Sequence, residues 1–193
     1  LGAAQHEDPV SHLRRAAAQR SQQAHPQERL PQEIPGMGHG LIVRHPRVAQ
    51  MIADFFEDRT RHMETIDGAI ESLLHIGDTA DVVLLTNLPH TAGDHRRENL
   101  AGHGLNFPVV TTSGPKGPAI SDLVSRTQKP VVFIDDSPAF ISSAYQHAPD
   151  VHLVHFLHDE RFARHIEPLD YVSLRTASWN EAKPHILELI SGS

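Results

Sequence analysis

Apolar residues fall in two alternating patterns along most of this chain. Val48, Met51, Ile52, Phe55 and Phe56 recur at helical spacing. Ile66, Ile70, Leu73 and Leu74 do so again, and Gly77 offers a natural stop. Asp81-Val82-Val83-Leu84-Leu85-Thr86 is then a short, almost wholly apolar run. Such runs fit strands buried on both faces, as in parallel sheets. The alternation continues with a polar helical stretch over 91–103 and a strand over Pro108–Thr112. A helix over Ala119–Arg126, a strand over Val131–Ile134 and a helix over Ala139–His147 follow. A strand over Val151–Phe156 comes next, and a helix over Trp179–Ile190, with Pro184 inside it, closes the chain. Strands alternating with helices predict an α/β protein built on a doubly wound parallel sheet.

The first 50 residues do not share this patterning. They hold no Phe, Tyr, Trp or Lys, and are rich in Ala, Gln, Arg, His and Pro. Ser11 to Gln23 has the composition of a short helix. It offers no apolar stripe to bury, so little would hold it down. The expected organisation is a low-complexity or disordered tail over 1–46 and an α/β core over 47–193. Gly36-Met37-Gly38-His39-Gly40 invites a phosphate-loop reading. No strand precedes it and no Lys-Ser/Thr helix start follows it, so a linker is the better account.

Composition narrows the function classes. The chain has 193 residues, which suits one domain with a small appendage. Apolar residues make up 39% and aromatic ones 5%, so the core must be mainly aliphatic. A formal net charge of -7 argues against nucleic acid or an anionic membrane as the main partner. With no cysteine, disulfides, thiolate catalysis and zinc–thiolate sites are excluded. No apolar run approaches the roughly 20 residues that span a bilayer. No signal-peptide pattern opens the chain, so the cytoplasm is the expected location.

In doubly wound sheets, ligands bind at the carboxyl ends of the strands. Three such ends carry polar chemistry here. The first strand ends in Thr86-Asn87, the loop after the second carries Ser113-Gly114-Pro115-Lys116-Gly117, and the third ends in Asp135-Asp136-Ser137. Thr86 can donate a hydrogen bond to a phosphoryl oxygen, and backbone amides after it can do the same. Lys116 can neutralise charge on a transferring group. Adjacent carboxylates can hold Mg²⁺, a hard cation that favours oxygen. Each residue also has a plain role: Thr86-Asn87 as a turn, Lys116 as a solvated lysine, Asp136 or Ser137 as a helix cap. Their joint placement at three strand ends favours phosphoryl chemistry.

These segments resemble the motifs of the haloacid-dehalogenase-like (HAD-like) hydrolase superfamily. Val82–Asn87 looks like its second motif, Lys116 within Gly114–Gly117 like its third, and Val131–Ser137 like its fourth. Order and spacing agree over roughly the last two-thirds of the chain. The resemblance implies a Rossmann-like fold, Mg²⁺, an aspartyl-phosphate intermediate and a phosphorylated small-molecule substrate. It further implies that Thr86 and Asn87 bind the phosphoryl group, that Lys116 stabilises it, and that Asp135 and Asp136 serve the metal. Thr86 and Lys116 thereby become the candidate catalytic residues.

One motif is missing. The family's first motif is an apolar strand ending in Asp-x-Asp, whose first Asp is the nucleophile. Before Thr86 the only strand-like scrap is Leu41-Ile42-Val43, followed by Arg44-His45-Pro46. Asp54, Asp58, Asp67 and Asp78 all sit in helical or loop patterns. The resemblance also places the first-motif strand in the middle of the sheet. A sheet without it would leave backbone groups unpaired, at about 1–3 kcal/mol for each buried one. The missing strand and the odd composition of the first 50 residues point to one cause, a first-motif segment lost or read out of frame. The expected function is a Mg²⁺-dependent phosphomonoester hydrolase, weak or inactive in this chain; the alternative is a non-catalytic HAD-like binding module.

Two further features weigh less. His152, His155 and His158 suggest a metal site, but three-residue spacing does not put side chains on one face of a strand. They are expected as surface or packing histidines, whereas His90 and His95 lie near enough to Thr86 to touch substrate. A response-regulator receiver domain also uses an acidic pair, a Thr/Ser and a Lys, but in the order acids, Thr/Ser, Lys. That order is not the one found here.

Overall fold

The computed structural model describes the backbone of residues 46–192. The expected tail (Pro46 apart), its helix at Ser11 to Gln23, the glycine-rich stretch and the Leu41–Val43 scrap lie outside the described residues. The chain divides into two compact units, residues 1–55 and 56–193.

Helix α1 (Pro46–Thr60) follows the expected periodicity. Met51 and Phe55 nevertheless stay exposed, at 69% and 56%. Helical spacing therefore identified the helix but did not show that all of its stripe is covered. The Thr60 hydroxyl donates to the Phe56 carbonyl and closes the last turn.

In the second unit, α2 (Ala69–Gly77) starts after Gly68, whose φ of 76° is left-handed. This turn is why Ile66 falls outside the helix its spacing suggested. Strand β1 (Leu84–Thr86) leads through a 3₁₀ turn, His90–Ala92, into α3 (Gly93–Gly102). Strand β2 (Val109–Thr111) and α4 (Gly117–Val124) follow, then β3 (Val132–Asp135) and α5 (Pro138–His147). The chain continues with β4 (His152–Phe156), α6 (Glu160–Ala163), β5 (Leu174–Thr176) and α7 (Trp179–Ser191).

Among the described residues every strand pairing is parallel, as the apolar runs predicted. The strands form a two-stranded sheet, β1-β2, and a three-stranded sheet, β3-β4-β5, rather than one continuous sheet. Among the described residues no strand pairs with both β1 and β3.

Strand alternation feeds two apolar layers. Val132 and Ile134 of β3, Val154 and Phe156 of β4, and Val82 ahead of β1 pack with Ile76, Trp179, Ala182 and Ile186. Phe133 of β3, Leu153 of β4 and Leu85 of β1 pack with Ile120, Ile141 and Ala144. Leu85 of the two-stranded sheet thus shares one layer with β3 and β4, and Val82, just ahead of β1, shares the other. Strand β4 is buried along nearly its whole length, whereas β1 and β3 are only half-buried. Complete burial of an aliphatic side chain such as Ile141 stabilises by roughly 1.5–3 kcal/mol.

Several boundaries differ from the pattern for physical reasons. Strand β1 begins at Leu84, where its N–H reaches the Pro108 carbonyl at 2.8 Å; Asp81 is exposed. Helix α4 begins two residues before Ala119 because Pro118 suits a first helical turn. Strand β5 and α6 gave no periodic signal. Three residues with one aliphatic side chain are too few, and α6 depends on Asp159, whose carboxylate accepts the Arg161 N–H at 2.9 Å. Arg175 of β5 then donates to the carbonyls of Ala163 and Ile166, at 2.9 and 2.8 Å. Helix α7 passes through Pro184; the carbonyl that loses its donor belongs to exposed Asn180 near the helix start, where water can reach it.

Helices α4 and α5 touch through backbone. A Cβ on Gly117 would lie 2.2 Å from the Ser143 carbonyl oxygen, and the Gly117 N–H donates to the Ser143 hydroxyl at 3.0 Å. Gly102, at the end of α3, has open space around it. We expect Gly117→Ala to lower unfolding free energy by at least about 2 kcal/mol through overpacking. Gly102→Ala should raise it by about 0.4–1 kcal/mol. Urea denaturation of both variants checks this, and equal effects would show that the α4–α5 contact is not tight.

Candidate functional site

The candidate residues lie at strand ends or in the loops that follow them. Thr86 is the last residue of β1, Lys116 directly precedes α4, and Asp135 is the last residue of β3. Two of them meet. The Lys116 ammonium lies 2.6 Å from Asp135 Oδ2, with 10% and 7% of the two side chains exposed. A lysine that composition alone would leave in solvent is therefore buried. The rings of Phe140 and Phe133 flank its ammonium, with centroids 4.9 and 5.9 Å away.

Asn87 and Gly114 shape the loop that delivers Lys116. The Asn87 amide donates to the Gly114 carbonyl at 2.8 Å and accepts from the Thr112 hydroxyl. Gly114 has φ +79°, which a side chain would strain. Asn87 thus clamps the loop after β2 to the end of β1. The Thr86 hydroxyl makes no hydrogen bond among the described residues.

The acidic pair is asymmetric. Asp135 Oδ1 accepts the Ser137 N–H at 2.9 Å while Oδ2 faces Lys116. Burial pushes its carboxyl above the ordinary value; Lys116 and the Ser137 N–H pull it down, and Asp136 pushes it up. Asp136 is exposed, and its carboxylate has no partner among the described residues. Ser137 occupies the N-cap position of α5 without a side-chain capping bond; Asp135 takes up its N–H instead.

Two carboxylates at this edge, Asp135 and Asp136, could take part in holding a cation. A carboxylate offers about four lone-pair positions, so Asp135 retains acceptor capacity beside Lys116 and Ser137. Among the described residues no group of three or more ligand side chains gathers. Mg²⁺ is commonly held by one or two carboxylates with water and phosphate oxygens completing the shell. A site of that kind would draw at most two side-chain ligands, Asp135 and Asp136, from this edge. Asp58, Asp67, Asp78 and Asp81 are exposed.

His155, which the sequence marked as a surface or packing residue, is fully buried on β4. Its Nε2 lies 3.2 Å from the Asp136 carbonyl oxygen, and burial holds its pKa below the ordinary value. A carbonyl oxygen can only accept, so Nε2 carries the hydrogen of this contact. Its signal in the sequence was a histidine inside the apolar run Leu153-Val154-His155-Phe156. His152 is half-buried and His158 exposed, so the three histidines do not form one cluster. His95 is half-buried, with its Nδ1 unpartnered among the described residues; the side chain of His90 lies outside them.

No family model, no curated protein and no solved structure matches the chain.

Breaking a buried pair by removing one partner costs about 3–5 kcal/mol. We expect Lys116→Met to lose that much stability near neutral pH, because Asp135 would stay buried without a cation. The Asp135 carboxyl would then rise further above its unfolded value. A carboxyl raised in this way costs stability above its folded pKa and none below its unfolded pKa. The gap between variant and wild type should therefore narrow as pH falls toward about 4. Urea melts across that range check it, and a gap that widened in acid would refute the ion pair.

Proposed function

We propose that residues 56–193 form a HAD-like, Rossmann-type core of a Mg²⁺-dependent phosphomonoester hydrolase lineage, weak or inactive in this chain for lack of a nucleophile. The observation that carries the reading is the meeting of Lys116 with Asp135 at the carboxyl ends of parallel strands, beside the open Asp136 carboxylate. In this reading Thr86 and the backbone after it bind the phosphoryl group. Lys116 balances its charge, and Asp135 and Asp136 would hold Mg²⁺. The ion, when bound, supplies positive charge to the phosphoryl oxygens. Asn87 contributes by fixing the loop that carries Lys116 rather than by free donors alone.

The absence of a turnover step rests on chemistry. Covalent phosphoryl transfer needs a carboxylate facing the phosphorus. Asp135 is engaged by Lys116, and the exposed upstream aspartates lie outside any strand. Loss of a nucleophile typically costs on the order of 10⁴–10⁶-fold in kcat. A non-catalytic module that binds a phosphorylated small molecule is the second reading, favoured by the engagement of Asp135. The parallel strands in two small sheets are compatible with a core lacking its central strand. The acidic net charge suits a cytoplasmic small-molecule binder better than a nucleic-acid partner.

Two measurements test this reading. Calorimetric titration with MgCl₂ should show binding that Asp136→Asn abolishes. Hydrolysis of p-nitrophenyl phosphate should stay at the buffer rate with or without Mg²⁺. No binding heat would remove the metal from the account, and Mg²⁺-dependent turnover would show that a nucleophile is present after all.

A further inference from the structure

The β3–β4 ladder ends at the pair Asp135–His155. Asp136 is the first residue beyond it, so its carbonyl has no place in the ladder. The His155 ring takes over there. It is fully buried, and its Nε2 reaches the Asp136 carbonyl at 3.2 Å. Its other nitrogen, Nδ1, is buried without a hydrogen-bond partner among the described residues. An aliphatic residue would have filled this place without that cost, about 1–3 kcal/mol for a buried unsatisfied group. The ring's single polar contact is thus with the backbone of the exposed carboxylate residue.

The neighbouring residues are fixed by other means. Asp135 is held by Lys116 and the Ser137 N–H, and the chain then enters α5 through Ser137 and Pro138. Asp136 has no side-chain partner among the described residues, so its backbone alone sets where its carboxylate points. We infer that His155 is a positioning residue, which fixes the Asp136 peptide from the buried strand β4 and so aims the Asp136 carboxylate at the strand-end site. This role rests on the metal reading above for its purpose, but not for its geometry. Partners that orient a metal ligand from behind typically contribute 10–100-fold in metal affinity.

The test compares His155→Gln with His155→Asn in the full chain. A glutamine amide extends about as far as Nε2 and can donate to the same carbonyl; asparagine is too short. Calorimetric Mg²⁺ titration should show affinity within about threefold of wild type for the glutamine variant and at least tenfold weaker for the asparagine variant. Amide hydrogen exchange without metal should show faster exchange at Asp136 and Ser137 in the asparagine variant alone. Thermal melting of both variants reports the packing change they share. Equal Mg²⁺ affinities, or exchange at 136–137 that follows melting temperature alone, would overturn the inference. If wild type takes up no Mg²⁺, the metal reading fails by itself, and amide exchange still decides whether His155 holds the Asp136 peptide.

Discussion

Alternation of side chains along parallel strands governs this structure. In β3 and β4, odd and even residues belong to different apolar layers. Val132 and Ile134 join the layer built on Ile76, Trp179 and Ile186, whereas Phe133 joins the one built on Ile120 and Ile141. A shift of one residue in β3 would exchange the layers. It would also turn Asp135 away from Lys116. The site geometry is therefore a consequence of packing register rather than of local loop preference.

A buried lysine–carboxylate pair stands at the carboxyl edge of that packing. Neither partner would be placed there for stability alone, because desolvation offsets most of the Coulomb attraction. The pair joins the loop after β2 to the end of β3, two segments that belong to different small sheets. The Asn87 clamp on Gly114 and the Gly117–Ser143 contact hold the same loop from its other sides. Lys116 and its loop are thus constrained from several directions.

The acidic pair shows how two adjacent identical residues acquire different roles. Asp135 ends a strand, so its side chain lies in the packed body and takes a cation and an N–H as partners. Asp136 begins the loop, and its side chain meets water. Burial raises the carboxyl of the first while the second stays open.

Sequence alone determined the α/β class of the fold, the parallel strands and the positions of Thr86 and Asp135 at strand ends. Apolar runs such as Val131–Ile134 and Val151–Phe156 state their own burial, and strand ends follow from where those runs stop. Strand β5 and α6 were illegible because their few residues carry no period and are held by Asp159 and Arg175. Helical spacing in α1 could not show that Met51 and Phe55 would stay exposed, since periodicity marks a stripe and not its cover. Only the tertiary structure paired Lys116 with Asp135, turned Asn87 into a clamp and carried His155 to the Asp136 carbonyl. Those contacts join residues 19 or more positions apart, and their distances depend on how whole elements pack.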